Sequence, residues 1–263
     1  MTPPLRKSAR LAYLAPMTTI LPAALALSAA LALSACDRKP DAAFGEKVRA
    51  YLLENPEVIE EAVQKLQEKK LAEAANVAKA GLVKHRAALE RDPRDLVVNP
   101  NGSVTVVEFF DYNCGYCKLA APEVAKLIAE NPDVRFVFKE FAFQTEDAII
   151  AAKIALTPMA KAKGLQLHQS LMAQKPLNQA AIDRSLVAAG VDPDAARRAA
   201  NDPAIDKQLS DVRELAAALQ IDGTPAFVVG DQVISGADIP ALRAAIVQAK
   251  AGKLKTPPDV EPS

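Results

Sequence analysis

Hydrophobic and polar positions divide the chain into an N-terminal helical part and a C-terminal part of mixed structure. Between residues 44 and 90, apolar side chains recur every three or four positions, which predicts helices that each carry one apolar face. Asn55-Pro56 interrupts this stretch and is typical of a fresh helix start, with Asn55 as the cap and Pro56 at the first helical position. The N-terminal part is therefore predicted to contain successive helices.

The last part of this helical stretch has a heptad spacing. Leucine occupies half of the seam between residues 71 and 89, and alanine and histidine occupy the rest, so the seam is weak. Because these faces have no evident partner within the segment, we predict that residues 44–92 form a helical segment through which copies of the chain associate. A helix packed on its own domain and a long solvated helix are the alternatives.

From Asp92-Pro93 onwards, short apolar runs alternate with stretches of helical spacing. The apolar runs predict strands at 96–98, 104–110, 134–141, 226–229 and 232–235, the last two as a hairpin. The helical spacing predicts helices at 120–129, 146–219 and 239–250. Inside the long helical block, Asp192-Pro193 and Asp202-Pro203 are typical of a cap followed by the first helical residue.

This order of elements predicts a domain of the α/β class. Strands followed by helices indicate a sheet flanked by helices, with one large helical insertion at about 145–220. The predicted domain covers residues 93–251. The Pro-rich residues 252–263 are predicted to be disordered.

The N-terminus has the pattern of an export signal. Basic residues precede an apolar run from Ile20 to Leu33, which is shorter than the roughly 20 residues that span a bilayer. The run ends in Leu-Ser-Ala-Cys at 33–36, which resembles the lipobox of bacterial lipoproteins, in which the cysteine carries the lipid and becomes the mature N-terminus. We therefore predict a signal peptide at 1–35 and a lipid on Cys36.

A polar tether at 36–43 would follow the lipid, and the protein would lie on the periplasmic side of the bacterial envelope. In the enterobacterial sorting rule, an acidic residue at the position of Asp37 favours the inner membrane. An ordinary signal peptide cut near Ala35, or a short membrane anchor, is the alternative.

Charge and cysteine content narrow the function. Lys+Arg and Asp+Glu number 32 each, so no overall positive field attracts nucleic acid, which is not an expected partner. Of three cysteines, Cys36 is assigned to the lipid, which leaves Cys114 and Cys117. An exported protein with no other cysteine has no structural disulfide framework, and two cysteines this close do not staple a fold. Their use is therefore predicted to be chemical.

The cysteine pair lies between a predicted buried strand and a predicted helix. Free backbone N–H groups and the positive end of the dipole stabilise an anion at a helix N-terminus, so Cys114 is expected to have a lowered pKa and to act as the nucleophilic thiolate. Gly115 and Tyr116 separate the two cysteines, which places Cys117 one turn further on, within disulfide reach. Cys117 can then resolve a mixed disulfide formed by Cys114.

The sequence around these cysteines resembles that of DsbA-type proteins of the thioredoxin superfamily. The resemblance rests on Phe-Phe-Asp-Tyr-Asn-Cys-Gly-Tyr-Cys-Lys at 109–118 and on Gly-Thr-Pro-Ala at 223–226, and it covers roughly residues 93–251. It implies a thioredoxin-like fold with a large helical insertion. It also implies that Pro225 is a cis-proline facing the cysteines, and that Thr224 offers its backbone to an extended substrate.

The same resemblance assigns two charged residues by position. Glu108 corresponds to the buried acidic residue of the family beneath the active site, and Lys139 to its lysine partner. A buried acid with a lysine neighbour would relay the proton of Cys117 during resolution. The alternative is that either residue lies at a solvated edge of the sheet.

A second resemblance concerns the N-terminal helices. Tyr-Leu-Leu-Glu-Asn-Pro-Glu-Val-Ile at 51–59 resembles the region before the catalytic domain in ScsC-type proteins, which are named for suppression of copper sensitivity. Some of those proteins trimerise through this region, so the resemblance implies a homo-oligomer, such as a trimer. The lipobox is a departure from the family, since many relatives are soluble periplasmic proteins.

The direction of the redox reaction depends on the residues between the cysteines. Strongly oxidising relatives have Pro-His there, whereas Gly115-Tyr116 supplies no charge, so a less oxidising disulfide is expected. Cys-Gly-Tyr-Cys with Thr before the cis-proline also looks like the DsbC-type isomerases. An isomerase or reductase of exported proteins with cysteines is therefore favoured, a dithiol oxidase is the alternative, and a membrane thiol–disulfide partner is implied by resemblance.

Metal binding is a hypothesis of another class. Two thiolates can hold Cu(I), and the second resemblance points towards copper stress, whereas a structural zinc site normally needs four ligands. His85 and His168 are far from the cysteines in sequence and are expected to be ordinary helix-surface or partly buried residues. Copper binding is therefore the less favoured alternative, and no metal site or resident cofactor is predicted. A scaffold without catalysis is disfavoured, because both cysteines and Thr224-Pro225 are present.

Overall fold

The computed structural model describes residues 42–254. The predicted signal peptide, the lipid on Cys36 and most of the predicted tether and tail lie outside the described residues. The described chain divides into two compact units, one ending at Leu66 and one beginning at Gln67. None of the helices within this range combines the length and the hydropathy that a membrane crossing needs.

The helices of the described chain are α1 (Ala42–Glu54), α2 (Glu57–Lys84), α3 (Arg86–Glu90), α4 (Gly115–Glu130), α5 (Glu146–Ala155), α6 (Pro158–Lys161), α7 (Gly164–Met172), α8 (Gln179–Ala188), α9 (Pro193–Ala199), α10 (Pro203–Ala218) and α11 (Ile239–Lys250). The strands are β1 (Leu96–Val98), β2 (Val104–Phe110), β3 (Val134–Glu140), β4 (Ala226–Val229) and β5 (Gln232–Ser235). The predicted strands and the predicted helical insertion are thus present.

The first unit contains α1 and the beginning of α2. Asn55 separates the two helices, and its side-chain amide donates to the carbonyl of Tyr51 at 2.9 Å. Helix α2 begins at Glu57, one residue later than predicted, and acidic side chains in its first turn favour the positive end of the helix dipole. Several large apolar side chains of this unit are exposed, namely Phe44, Val48, Tyr51, Leu53, Ile59, Val63 and Leu66.

The end of α2 belongs to the second unit. A Cβ atom on Gly81 would come within 2.4 Å of the carbonyl oxygen of Ala218, so only glycine allows this approach. Leu82 and Leu89 are buried in a cluster with Phe109 of the sheet. The last part of the heptad seam therefore packs on its own domain, and the second unit begins well before the predicted boundary at residue 93.

The sheet of the second unit has the strand order β1-β3-β2-β4-β5. Strand β2 is central, parallel to β3 and antiparallel to β4. Helices α4 and α11 cover one face, and α3 and α10 contribute to the cluster on the other face. Burial on both faces explains why β2 and β3 are mostly apolar rather than alternating in polarity.

The helical insertion consists of α5 to α10 and joins β3 to β4. Most of its helices begin at a residue whose side chain accepts a backbone N–H bond. The predicted caps Asp192 and Asp202 do so, at 2.9 Å from the N–H groups of Ala195 and Ala204. Capping of this kind typically contributes about 1 kcal/mol per helix. It divides the predicted long helical block into short, separately capped helices.

Candidate active site

The two cysteines lie where strand β2 leads into helix α4. Cys114 is the N-cap residue of α4, and its sulfur accepts a hydrogen bond from the backbone N–H of Cys117 at 3.5 Å. The Cys114 thiol donates to the carbonyl oxygen of Thr224 at 3.2 Å. Cys117 is fully buried, whereas Cys114 keeps an exposed fraction of 4%. An incoming disulfide therefore reaches Cys114 first.

The surroundings move the pKa values of the two thiols in opposite directions. Burial raises the pKa of Cys114, but hydrogen bonds to its sulfur, which include those from the backbone N–H groups of Cys117 and Tyr116, outweigh burial, so this pKa lies below that of an ordinary thiol. Burial is the main reason why the pKa of Cys117 is raised, and the negative charges of Cys114 and Glu108 add to the effect. Cys114 is therefore the better nucleophile, and Cys117 retains its proton.

The turn that contains Thr224 and Pro225 faces the cysteines. The peptide bond between them is cis, as the resemblance implied. Strand β4 begins directly after this turn and pairs antiparallel with β2, with Ala226 opposite Phe109. The start of β4 therefore lies beside the end of β2 that leads to the cysteines. The Thr224 hydroxyl is buried and has no hydrogen-bond partner among the described residues.

Glu108 lies on β2, beneath the cysteine-bearing turn. Its side chain is 3% exposed, and its Oε2 atom has no hydrogen-bond partner within residues 42–254. Burial raises the pKa of Glu108 to about 8, because a carboxylate in apolar surroundings loses its hydration. Its charge acts on Cys117. Glu108 is thus a buried carboxyl group whose charge disfavours the Cys117 thiolate.

Lys139 does not lie beside Glu108. In the parallel register of β2 and β3, Glu108 is opposite Phe138 and Lys139 is opposite Phe109. Because successive side chains of a strand point to opposite faces, Glu108 and Lys139 lie on opposite faces of the sheet. The predicted lysine partner of the proton relay is therefore wrong.

Lys139 instead belongs to a buried ion pair on the other face of the sheet. Its Nζ atom contacts the carboxylate of Asp95 at 2.5 Å and the carbonyl oxygen of Ala88 at 2.6 Å. Burial raises the pKa of Asp95 to about 6, against the opposing effect of the Lys139 charge. The pair ties the segment before β1 to the sheet.

Asp111 organises the turn that carries the cysteines. Its carboxylate is fully buried and accepts hydrogen bonds from the backbone N–H groups of Asn113 at 2.6 Å, Phe143 at 3.0 Å and Gln144 at 3.1 Å. Its carbonyl oxygen accepts the N–H of Cys114 at 3.1 Å. Asp111 therefore fixes the cysteine-bearing turn to the loop after β3.

A second buried group behind the site joins Tyr112, Glu140 and His168. The Tyr112 hydroxyl donates to Glu140 at 3.0 Å and lies 3.4 Å from Nδ1 of His168. The His168 ring packs 4.7 Å from the rings of Phe110 and Phe138, and burial lowers its pKa to about 3. His168 is thus a neutral core residue.

The contacts of these buried polar residues do not follow from local sequence patterns. Asp111 and Tyr112 lie inside the motif at 109–118, but the distant partners of Asp111 come from the loop after β3, and those of Tyr112 come from β3 and α7. Lys118, directly after Cys117, was also missed: its Nζ atom donates to the carbonyl oxygens of Gln174 and Met172 at 2.7 Å and 3.3 Å. The sequence shows that Lys118 lies next to the motif, but it does not show these contacts.

Exposed side chains surround the cysteines on the solvent side. Gly115 and Tyr116 occupy the first turn of α4, and Tyr116 is 67% exposed. Leu119 and Phe143 are also large, apolar and exposed. Over the described range, no group of three or more His, Cys, Asp or Glu residues is placed to hold a metal ion.

Comparison with known protein families gives two matches. Residues 94–248 match the family model described as thioredoxin. Residues 41–73 match the model described as the N-terminal domain of the copper resistance protein ScsC. The first match covers the domain with the cysteines, and the second covers α1 and part of α2.

Solved structures similar to this chain include two from bacteria. ScsC of Proteus mirabilis, in a transitional conformation, is 31% identical, with a TM-score of 0.61, over 81% of this chain and 100% of that chain. A periplasmic thioredoxin-like protein from Salmonella enterica serovar Typhimurium is 31% identical, with a TM-score of 0.58, over 63% of this chain and 95% of that chain.

Among curated proteins, the Na(+)/H(+) antiporter NhaA 3 of Salinispora tropica is 30% identical over 183 residues, which is 65% of this chain. This chain spans only 27% of the length of that relative. The thioredoxin model, by contrast, matches more than half of the chain and includes both cysteines and the cis-proline. The chain therefore belongs to the thioredoxin family.

Proposed function

We propose that this protein is a thiol–disulfide oxidoreductase that acts on the disulfides of exported proteins. The observation that carries the proposal is the asymmetry of the two thiols: Cys114 keeps a small exposed fraction and has a lowered pKa, and Cys117 is fully buried and has a raised pKa. Cys114 is therefore suited to attack a substrate disulfide, and Cys117 is suited to resolve the mixed disulfide afterwards.

The reaction follows from this asymmetry. The Cys114 thiolate attacks one sulfur of a substrate disulfide, which forms a mixed disulfide and releases the other substrate sulfur as a thiolate. The Thr224 carbonyl, freed from the Cys114 thiol, can then pair with an extended substrate segment. Cys117 next loses its proton and attacks the Cys114 sulfur, which forms the enzyme disulfide and releases the second substrate thiolate. The reverse sequence introduces a disulfide into a substrate.

Glu108 is the proposed acceptor of the Cys117 proton. Its charge acts on Cys117, and its pKa of about 8 allows it to take up and return a proton near neutral pH. Lys139 has no part in this transfer, because it lies on the other face of the sheet in an ion pair with Asp95.

Disulfide isomerisation or reduction is the favoured direction, and dithiol oxidation is the alternative. Gly115 and Tyr116 add no charge beside Cys114, which favours a disulfide that is less oxidising. The exposed apolar side chains of α1 and the start of α2 would associate with those of a second copy of the chain. Several sites on one oligomer would hold a misfolded client while its disulfides exchange.

The protein is proposed to lie on the periplasmic side of the envelope, held by a lipid on Cys36. The support is the lipobox-like sequence at 33–36 and the similarity to a periplasmic thioredoxin-like protein. Asp37 favours the inner membrane, where a membrane thiol–disulfide partner would supply or remove electrons. In cells given labelled fatty acid, we expect the wild-type protein to carry the label and the Cys36→Ala protein to lack it. An unlabelled wild-type protein would contradict the proposal.

Refolding of a scrambled-disulfide protein tests the proposed direction. We expect the mature chain to isomerise the substrate and a Cys114→Ser, Cys117→Ser protein to be inactive. A deletion of residues 44–66 should give a smaller particle that still reduces disulfides but isomerises poorly. The deletion ends at Leu66 because Leu82 and Leu89 belong to the core of the other unit. Net oxidation of reduced substrates without isomerisation would favour the alternative.

A further inference from the structure

Helix α4 carries a lysine one turn after Cys114. Lys118 follows Cys117 directly, and its backbone N–H donates to the carbonyl oxygen of Cys114 at 3.1 Å. Residues at this i, i+4 spacing share one face of a helix, with Cβ atoms about 5–6 Å apart. Residue 118 therefore lies on the same face of the helix as Cys114, and a negative charge on Cys114 acts on the Lys118 ammonium.

The Lys118 side chain is held in place by neutral groups. Its Nζ atom donates to the carbonyl oxygens of Gln174 at 2.7 Å and Met172 at 3.3 Å, at the end of α7. Within residues 42–254, no carboxylate lies within ion-pair distance of this Nζ atom. The positive charge is therefore fixed near the active site without a compensating negative charge in contact with it.

Three other charged groups act on Lys118 or on the cysteines. Lys175, directly after the carbonyl of Gln174, adds a second positive charge near Lys118. The charge of Asp111 in the cysteine-bearing turn favours the ammonium form of Lys118, whereas ionised Glu108 on β2 opposes the thiolate form of Cys117. Lys118 is the cation of this group that belongs to the active-site helix itself.

We propose that the Lys118 ammonium stabilises the Cys114 thiolate of the reduced protein and so makes the active-site disulfide a stronger oxidant than its uncharged dipeptide alone would. The inference rests on the proposed function, because a reduction potential exists only for a redox-active pair of thiols. Lys118, which lies outside the Cys-x-x-Cys motif, thereby helps to set the reduction potential.

The effect follows from the products of reduction. When two glutathione molecules reduce the disulfide, the protein S–S bond breaks and one S–S bond forms in oxidised glutathione. Cys117 takes up one of the two thiol protons, and the other goes to solvent because Cys114 remains a thiolate. A nearby cation lowers the free energy of this anionic product and leaves the neutral disulfide almost unchanged, so it shifts the equilibrium towards the reduced protein.

Four variants separate charge from hydrogen bonding. Lys118→Met removes the charge, Lys118→Gln removes the charge but keeps a donor for the two carbonyls, and Lys118→Arg keeps the charge. Lys126→Met is the matched control, because Lys126 is an exposed lysine on the same helix, eight residues or about 12 Å further along it. The pH dependence of iodoacetamide alkylation gives the pKa of Cys114, and equilibration with glutathione gives the reduction potential.

For Lys118→Met and Lys118→Gln, we expect the equilibrium constant for reduction by glutathione to fall about threefold to tenfold. This corresponds to a potential lower by about 15–30 mV, at 29.6 mV for each factor of ten. The pKa of Cys114 should rise in both, while Lys118→Arg and Lys126→Met should match the wild type.

Two results would overturn the proposal. Either both uncharged variants match Lys126→Met, or Lys118→Gln alone recovers the wild-type potential, which would assign the effect to the hydrogen bonds. If Lys118→Met does not fold, the reduction potential of Lys118→Gln, compared with that of the wild type, tests the effect of the charge. A wild-type protein without any reversible dithiol–disulfide equilibrium would instead contradict the proposed function.

Discussion

The carboxylate of Asp111 accepts the backbone N–H of Phe143 at 3.0 Å, which joins the cysteine-bearing turn to the loop after β3. The same carboxylate binds the N–H groups of Asn113 and Gln144. Three donors converge on one fully buried group, and no lysine or arginine side chain is hydrogen-bonded to it among the described residues. The shape of the active-site turn therefore depends on an acceptor-only side chain.

Asp111→Asn should destabilise the protein by about 1–3 kcal/mol, because the amide NH₂ would face a backbone N–H and leave a buried donor unsatisfied. Urea unfolding of the oxidised protein measures the change in the free energy of unfolding. Asp222→Asn is the matched control, since Asp222 is exposed. Equal stability of the two variants would show that the three hydrogen bonds contribute nothing to the fold.

Glu108 should make stability depend on pH. Its folded-state pKa is raised from 4.5 to about 8, so between these values the unfolded chain releases a proton that the folded protein keeps. The free energy of unfolding therefore falls as pH rises through this window, and the penalty is absent below it and complete above it. We expect Glu108→Gln to remove about 2–4 kcal/mol of this penalty.

Urea unfolding of the oxidised wild type and Glu108→Gln at about pH 5 and about pH 8.5 checks this expectation. The variant should gain stability relative to the wild type at the higher pH only. Glu214→Gln, which changes an exposed carboxylate, should show no such difference. A constant difference between Glu108→Gln and the wild type at both pH values would contradict a raised pKa of Glu108.

Glu108→Gln should also slow the resolution step. Without the carboxylate, the Cys117 proton has no acceptor beside it, so the mixed disulfide with a substrate should persist about 10²-fold to 10⁴-fold longer. Acid-quenched samples separated by mass would show this accumulation. Attack by Cys114 should keep its rate, which distinguishes loss of the proton acceptor from damage to the whole site.

The buried pair of Lys139 and Asp95 should be structural and not catalytic. Lys139→Met leaves the Asp95 carboxylate buried without its partner, at a cost of about 3–5 kcal/mol near neutral pH. Replacing both residues, as Lys139→Met with Asp95→Leu, should recover most of that loss, because two apolar side chains leave no buried charge. Urea unfolding of the single and double variants measures both effects.

The reduction potential provides the second readout for this pair. Because Lys139 lies on the face of the sheet opposite to Glu108, the double variant should keep the wild-type potential. A shift comparable to that expected for Lys118→Met would show that Lys139 acts on the cysteines through the sheet.

Local patterns in the sequence were sufficient to predict most helices and strands of the second unit. The hairpin at 226–229 and 232–235 and the helix at 239–250 have the predicted bounds, because each is a short apolar pattern between clear turn or cap signals. The cysteines and the cis-proline were found because their motifs are local. The sequence did not show which face of the sheet each side chain of β2 and β3 occupies. The partner of Lys139 depends on the register between strands that are distant in sequence.

Contacts between distant segments account for the other differences. The heptad seam showed that α2 has an apolar face, but a periodic pattern does not identify the surface that covers it. For Leu82 and Leu89 the covering surface is the sheet of the same chain. The contacts of Lys118 depend on carbonyl groups in the last residue of α7 and just after it, which no sequence pattern marks.

Self-association is expected to depend on the exposed apolar side chains of the first unit. Ile59 and Val63 are 52% and 49% exposed and lie at i and i+4 on α2, so they form one apolar patch. Substituting both by Asp should reduce the particle to a monomer, because two charges would be buried in the interface. Light scattering after size-exclusion chromatography gives the mass, with Glu60→Gln on the same helix as the matched control. An oligomer that survives both substitutions, or a wild-type protein that is monomeric, would contradict association through this patch.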